Sequence, residues 1–318
     1  MGVPMNRGEA DNADSLGATL KDAGFQTSQL CYSRPSCFDF AARKGNERLL
    51  VKLHPDVAQF SRFESRELRV IAGRVSAAAL VVGDCAHEKA LEDDTVYSRY
   101  SVYVVTRKTL KNIAFRTGYP LVNAGPGGYF VEVDGALIER KRKELGLSIG
   151  KLANMVGVSR RTLYGYEQRM AKASVLSTYN LAKVLGVPVA KPINVLRKMG
   201  RQRVCLLARA KRAIAGRALL QRVFRKFAFC DISPVQKAPF DFVMNVPGEK
   251  CVIVGAVVAD EEDFLGSRAE EIVSVSRVIN AHPVLITERR ENCRGDVVCI
   301  SADELSVMRS PLDLFACI

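Results

Sequence analysis

Gly146–Glu167 reads GLSIGKLANMVGVSRRTLYGYE, and its punctuation is that of two short helices joined by a tight turn. Ser148 can cap a helix over Ile149–Met155, because a serine hydroxyl accepts from an N–H that the first helical turn leaves unpaired. Gly157 supplies the turn, which needs a residue comfortable at positive φ. Ser159 then caps a further helix over Arg160–Gln168. Leu152, Ala153, Val156, Val158 and Leu163 fall where the two helices must cross, and Ala153 is small enough for close packing. Working outward, Ala136–Leu145 has helical spacing and stops at Gly146. Leu176–Leu185 reads as a fourth helix closed by Gly186-Val187, and Ile193–Met199 as a fifth.

The charge of the chain concentrates around this stretch. Residues 135–226 hold 22 Lys and Arg against only Glu139, Glu144 and Glu167, a balance of +19 within a whole-chain charge of +13. The remainder is therefore −6. Basicity confined to one segment is the electrostatic footprint of a polyanion binder, whereas uniform basicity could be a solubility trait. Arg197–Lys226 carries eleven basic residues and no acid, with Leu206, Leu207, Ala210, Ile214 and Ala218 spaced like one apolar face. Two readings stay open for it: an amphipathic helix laying its basic face along a nucleic-acid backbone, or a linker helix with a solvated charged face.

At this point the quoted stretch resembles the signature of the Cro/repressor (C1) helix-turn-helix family, and NLAKVLGV at 180–187 resembles its fourth-helix ending. The resemblance implies that the helix at 159–168 lies in the major groove of double-stranded DNA and that its first residues read base edges. Carried over by position, Arg160, Arg161 and Tyr164 are the readers it implies. Arginine suits guanine because its fork spans O6 and N7. Ser148, Ser159 and Thr162, with Lys151, Arg169 and Lys172, are the implied phosphate contacts. Two positions depart from the family. Ile149 stands where glutamine is common, and Gly165 offers no side chain at another common reading position.

The 318 residues allow two or three domains, and 48% hydrophobic with 25% charged residues is enough to bury a core. Before the basic third, residues 15–133 alternate helical and strand patterns. Ser15–Ala23 is helical and stops at Gly24. The runs SCFDFAAR and ERLLVKL form a hairpin, Phe63–Val75 is a helix, AALVVG and YSVYVVT are buried strands, and NAGPGG is a loop or hinge. After it, the chain repeats these blocks in the same order. FDFAARKGNERLLVKL matches PFDFVMNVPGEKCVIVGA, with Asp39 on Asp241 and Leu50 on Ile253, so that the second turn is one residue longer. AALVVG then matches PVLITE, and YVVTRKTL matches VCISADEL, with Leu110 on Leu305.

These twin modules resemble the restriction-endonuclease-like fold. That fold places an Asp on one hairpin strand and an acid-x-Lys on the next to hold divalent metal. Asp39 and Lys52 stand in the implied positions, but Leu50 replaces the acid, and the second copy keeps Asp241 with Ile253-Val254-Gly255. Each module is thus expected to be catalytically silent, with no cofactor and no metal. His54, His87 and His282 lack ligand spacing, and nine cysteines without a CxxC pair argue against a zinc site and a disulfide framework. They read as small buried hydrophobes of a reducing, cytoplasmic compartment. No apolar run is long enough for a membrane span. The polar first residues lack a signal sequence and read as a disordered leader.

The expected architecture is therefore α/β plus all-α: a central five-helix Cro/repressor-like domain between two duplicated restriction-endonuclease-like α/β modules. Its parts are a leader (1–14), the first module (15–133), the helix-turn-helix domain (135–199), a basic helical connector (200–226) and the second module (227–318). The layout resembles the archaeal helix-turn-helix regulators of about this length. It implies a sequence-specific, homodimeric transcriptional regulator, not an enzyme, with any small-molecule effector left open. The alternatives are a metal-dependent DNA-processing enzyme targeted by its helix-turn-helix, and a non-specific nucleic-acid or chromatin binder.

Overall fold

The computed structural model of the chain describes residues 7–200, 214–249, 251–258, 265–288, 297–308, 310 and 313. The chain divides into two compact units. One joins 1–81 with 196–318 and the other spans 82–195.

The first unit begins with α1 (Arg7–Asp22), followed by β1 (Gln26–Thr27), β2 (Phe40–Lys44), β3 (Glu47–Leu53), α2 (Arg62–Arg74) and β4 (Ala78–Val82). Helix α1 starts inside the stretch expected to be a disordered leader. Ala13, Leu16 and Leu20, spaced along one face, are buried and hold it to the unit. The sheet order is β1-β2-β3-β4. Strands β2 and β3 are antiparallel with Phe40 opposite Val51, and a two-residue turn at Gly45-Asn46 joins them. Ser61 and Glu64 close a reciprocal capping box at the start of α2.

The second unit contains β5 (Cys85–Ala86), β6 (Lys89–Ala90), β7 (Thr95–Arg99), β8 (Val102–Val105), α3 (Arg107–Ala114), β9 (Val122–Gly125), β10 (Gly128–Val131), α4 (Gly135–Glu144), α5 (Ile149–Val156), α6 (Arg160–Glu167), β11 (Ala173–Ser174) and α7 (Val175–Leu185). The NAGPGG segment is a hairpin rather than a hinge. β9 and β10 pair antiparallel around Pro126-Gly127, and β11 adds to the other edge of β10. The fifth helix expected at Ile193–Met199 is absent. The Lys191 and Ile193 N–H groups instead donate to the Glu132 and Pro120 carbonyls, and Val133 bridges Ala190, so the segment runs extended.

The rest of the first unit is α8 (Ala218–Lys226), β12 (Asp231–Pro234), β13 (Phe242–Asn245), β14 (Val252–Val258), α9 (Leu265–Ile279), β15 (His282–Thr287), β16 (Val298–Ser301) and α10 (Ala302–Val307). Leu206, Leu207 and Ala210 lie outside the described residues. The part of the connector that is described is no single helix, because the chain turns at Gly216 (φ +77°) before α8. Leu219, Leu220 and Val223 of α8 belong to the core beneath β13–β16. The order β12-β13-β14-β15 has the antiparallel–antiparallel start of β1-β2-β3-β4.

Register corrects one expectation. Phe242 faces Gly255 as Phe40 faces Val51. With Asp39 matched to Asp241 as expected, this register sets Leu50 against Val254 rather than Ile253 and Lys52 against Ala256, with a second turn two residues longer.

The two halves of this unit grip each other reciprocally. On α2, the buried Glu67 carboxylate accepts from the Gln236 N–H at 2.8 Å. On α9, the Glu271 carboxylate accepts from the Tyr32 and Ser33 N–H groups, both at 2.8 Å. Lys237 reaches Glu64, and Arg34 reaches Asp241. The rings of Phe38 and Phe240 meet with centroids 6.2 Å apart.

Candidate nucleic-acid interface

Three serines set the frame of the helical part. Ser148, Ser159 and Ser174 each cap a helix by accepting from the N–H three residues on, at 3.0–3.1 Å. Gly157 ends α5 at φ +81° and Gly186 ends α7 at φ +67°, the left-handed positions that favour glycine. The helix limits agree with the sequence reading to within one residue at each end for α4–α7. Leu152, Ala153, Val156, Leu163 and Leu181 form the core between them, joined by Ile138, Tyr166 and Val189.

Helix α6 then has an inside and an outside. Leu163, Gly165, Tyr166 and Glu167 are buried. Arg160, Arg161, Tyr164 and Gln168 are exposed, and Tyr164 keeps 48% of its surface. Of the nine residues expected to touch DNA, Arg160, Arg161 and Thr162 fill the first turn of α6, and Tyr164 lies one turn from Arg160. Ser159 caps that turn, with its hydroxyl 2.8 Å from the Thr162 hydroxyl. Ser148 and Lys151 hold the first turn of α5. Arg169 and Lys172 follow α6, both exposed, and Arg169 adopts φ +59° just past the helix end.

Three features of this region are not evident in the sequence pattern. Gly135 opens α4 where a Cβ would lie 2.3 Å from the Glu167 carbonyl oxygen and 2.4 Å from that of Tyr166, so only glycine admits so close an approach. Arg142 forks onto Glu167, with Nε to Oε1 at 2.7 Å and Nη2 to Oε2 at 3.0 Å, while its Nη1 donates to the Leu147 carbonyl at 3.0 Å. Met170, Leu176 and Tyr179, at 70, 68 and 65% exposure, extend the outer surface past the end of α6. Their only sequence signal is being out of phase with the buried Leu181 and Leu185.

A second candidate site lies in the first unit. Asp39 ends the approach to β2, and Lys52 sits on β3. Lys52 Nζ is 2.7 Å from Asp39 Oδ1, and the Leu53 N–H donates to Oδ2 at 2.6 Å. Burial pushes the Asp39 carboxyl up against the pull of the Lys52 ammonium. Burial works to lower the Lys52 pKa, but the Asp39 carboxylate outweighs it and leaves it raised. The divalent metal that such a fold implies needs at least one more acid. Leu50, in that position, is fully buried and apolar, and both Asp39 oxygens are already engaged. The residues present do not fit a metal. Among the described residues no three His, Cys, Asp or Glu side chains are grouped as a metal site requires.

Asp241 directly precedes β13, as Asp39 directly precedes β2. The Val257 N–H donates to its Oδ2 at 2.8 Å, as Leu53 does to Asp39. Where Asp39 has one lysine, Asp241 has three arginines. Arg34 and Arg217 reach Oδ1 at 2.7 and 2.8 Å, and Arg268 reaches Oδ2 at 2.8 Å.

Cys31, Cys37 and Cys230 are buried thiols, as small hydrophobes should be, and burial raises each of their pKa values. Cys299 departs from the expectation, since it forms a disulfide. No helix among the described residues is long and apolar enough to cross a membrane.

Comparison with known proteins matches both regions. Residues 10–120 match the PD-(D/E)XK superfamily domain, and residues 138–191 match the helix-turn-helix family. The "Putative HTH-type transcriptional regulatory protein" of Methanosarcina mazei is 30% identical over 305 residues, covering 93% of this chain and 92% of its own. Its namesake in Methanococcoides burtonii is 30% identical over 301 residues with the same coverage. That of Methanocaldococcus jannaschii is 30% identical over 286 residues, 88% of this chain and 87% of its own. A solved structure, the SinR protein/SinI protein complex, is 24% identical over 30% of this chain and 90% of its own, with a TM-score of 0.17.

Proposed function

Because the chain belongs to this family of archaeal HTH-type transcriptional regulatory proteins, we propose that it binds specific double-stranded DNA sites, reading the major groove with α6. The observation that carries this reading is the outer face of α6. Arg160, Arg161 and Tyr164 stand exposed in its first two turns, fixed by the Ser159 cap, on a segment whose charge balance is +19. Ser148, Lys151, Thr162, Arg169 and Lys172 would hold phosphates and set register, and the arginines would supply base discrimination.

Residues 15–133 and 227–318 are read as two copies of one degenerate nuclease-like module, serving dimerisation or effector sensing rather than catalysis; the first copy runs past the boundary at residue 81 between the two compact units. The matched Asp39 and Asp241, each receiving an N–H from the strand that follows, support the duplication. A homodimer on paired half-sites is part of the proposal. The face on which two modules pair is already filled within one chain by the reciprocal Glu67 and Glu271 bonds, so another surface would hold the dimer.

Genomic fragments selected by the purified protein are expected to share one enriched motif. Arg160→Ala/Arg161→Ala is expected to lose it, since each bidentate contact to guanine is worth about 1–3 kcal/mol of discrimination. Uniform binding with a steep salt dependence that survives the double substitution would point instead to a non-specific binder.

The match of residues 10–120 to the PD-(D/E)XK superfamily favours one second reading, a metal-dependent DNA-processing enzyme. With Leu50 in the acid's place, incubation of plasmid or linear DNA with Mg²⁺ or Mn²⁺ is expected to leave it intact. Cleavage by the purified chain that Asp39→Ala abolishes would establish the enzyme.

A further inference from the structure

We infer that Gly150 is a specificity-determining residue that positions Arg160, an inference that rests on α6 being the reading helix. Gly150 is the second residue of α5. A glycine inside a helix is unfavourable relative to alanine because of the backbone freedom it loses. Such a position usually has a conformational reason, such as a positive φ. Gly150 has none, for its φ is not among the positive ones. What it has is a neighbour. A Cβ built on Gly150 would lie 2.6 Å from Arg160 Nε and 3.0 Å from both Cζ and Nη2. The guanidinium of Arg160 therefore rests where a side chain at 150 would be.

The geometry follows from the turn. Arg160 is the first residue of α6, immediately after the Ser159 cap. Side chains lean toward the N-terminus of their own helix, so Arg160 reaches back over the turn at Gly157 toward the first turn of α5. There a bare backbone receives it. Contacts shorter than roughly 3.5 Å between heavy atoms without a hydrogen bond are repulsive, so any Cβ at 150 must displace the guanidinium. The displaced atoms are the far end of a flexible, exposed side chain, which can move at little cost to the fold. The reading geometry is what changes. An arginine already seated against backbone loses less freedom on docking and approaches the base pair from one direction. Bidentate recognition of O6 and N7 depends on that direction. Gly165 offers a contrast, since a Cβ there meets only the Ala171 Cβ at 3.3 Å and no polar group.

Gly150→Ala in the full chain tests the inference against wild type, Arg160→Ala and the double variant. The probe is a panel of duplexes carrying every single-base change in the selected motif. The expected result is an unfolding midpoint equal to or above that of wild type, with discrimination at one base position reduced about tenfold, within the roughly 5- to 150-fold that one bidentate contact supplies. The affected position should be the one that Arg160→Ala affects, and the double variant should match Arg160→Ala rather than add to it. Should Gly150→Ala keep the wild-type profile at every position while Arg160→Ala loses one, the role of Gly150 is overturned and the reading by α6 stands. If neither substitution changes any position, Arg160 reads no base, and both the inference and the assignment of Arg160 as a reader fall. A midpoint well below wild type would also overturn it, since Gly150 would then serve the fold.

Discussion

Asp241→Ala is expected to destabilise the first unit by about 3–5 kcal/mol, the usual cost of removing one partner from a buried ion pair. The carboxylate is fully buried and takes hydrogen bonds from Arg34, Arg217, Arg268 and the Val257 N–H. Of the three arginines, Arg268 would suffer most. Its side chain is 3% exposed and its Nε donates to the Pro239 carbonyl, so it can neither leave nor be solvated. Arg34 and Arg217, at 27% and 35%, can turn toward water and contribute less. Arg268→Met in the Asp241→Ala background should therefore recover much of the loss, because the isolated charge is what costs most. The ion cage also has a pH signature. Burial raises the carboxyl, but the bond from Arg217 and the charges of Arg268 and Arg34 outweigh it and hold the group at about 2. A depressed folded-state pKa gives stability that is fully present above the unfolded value near 3.9 and lost as pH falls through about 2. The contribution is about 2–3 kcal/mol. Urea titrations of the full chain between pH 6 and 2 should show Asp241→Asn narrowing its gap to wild type across the lower half of that range. A constant gap would mean that Asp241 acts by packing alone.

Much of the fold follows from chemistry that is local in the chain. Ser148, Gly157, Ser159 and Gly186 mark helix ends with hydrogen bonds and dihedrals spanning only a few residues, and those ends came out within a residue. The hairpin of β2 and β3 and the strand β15 were similarly evident from apolar runs between turn residues. What escaped was set by partners remote in sequence. Arg34 lies 207 residues from Asp241, and Arg142 lies 25 from Glu167. No periodicity records that these charges are paired and buried, so in sequence Arg142 is simply one more positive charge. The helix expected at Ile193–Met199 failed for the same reason. Its spacing is compatible with a helix, but the Ile193 N–H has a carbonyl partner at Pro120, and the Lys191 N–H just before it has one at Glu132, which makes an extended path better. Leu50 can be set against Ile253 or Val254 equally well in sequence, because apolar strands slide past one another without penalty there. The hydrogen bond from Asp241 N–H to the Gly255 carbonyl, equivalent to Asp39 N–H to Val51, is what fixes the register.

Arg142→Met is expected to be the most damaging substitution in the helix-turn-helix region, costing about 3–5 kcal/mol and, with it, DNA binding. Glu167 is the last residue of α6, and its side chain is 2% exposed, against 9% for Arg142. The two bonds of the fork hold the end of the reading helix to α4, while the third nitrogen of Arg142 closes the chain entry to α5 at the Leu147 carbonyl. One side chain thus fixes three of the four helices that must be in place before Arg160, Arg161 and Tyr164 can face a groove together. Methionine keeps the length and apolar stem of arginine but leaves a buried carboxylate without its cation, which is the expensive half of the change. Glu167→Gln should cost less, because the amide still offers an acceptor to Arg142 and the arginine, with its Leu147 bond intact, is closer to the surface. The combined Arg142→Met/Glu167→Leu variant should regain most of the stability, since replacing both partners with apolar groups of similar size is often neutral. Thermal unfolding of the four proteins, with affinity for the selected motif, separates two roles. If the double variant recovers stability but not affinity, the ion pair sets the angle of α6 against its neighbours. If it recovers both, the pair only holds the fold, and apolar packing at the same place orients the helix equally well.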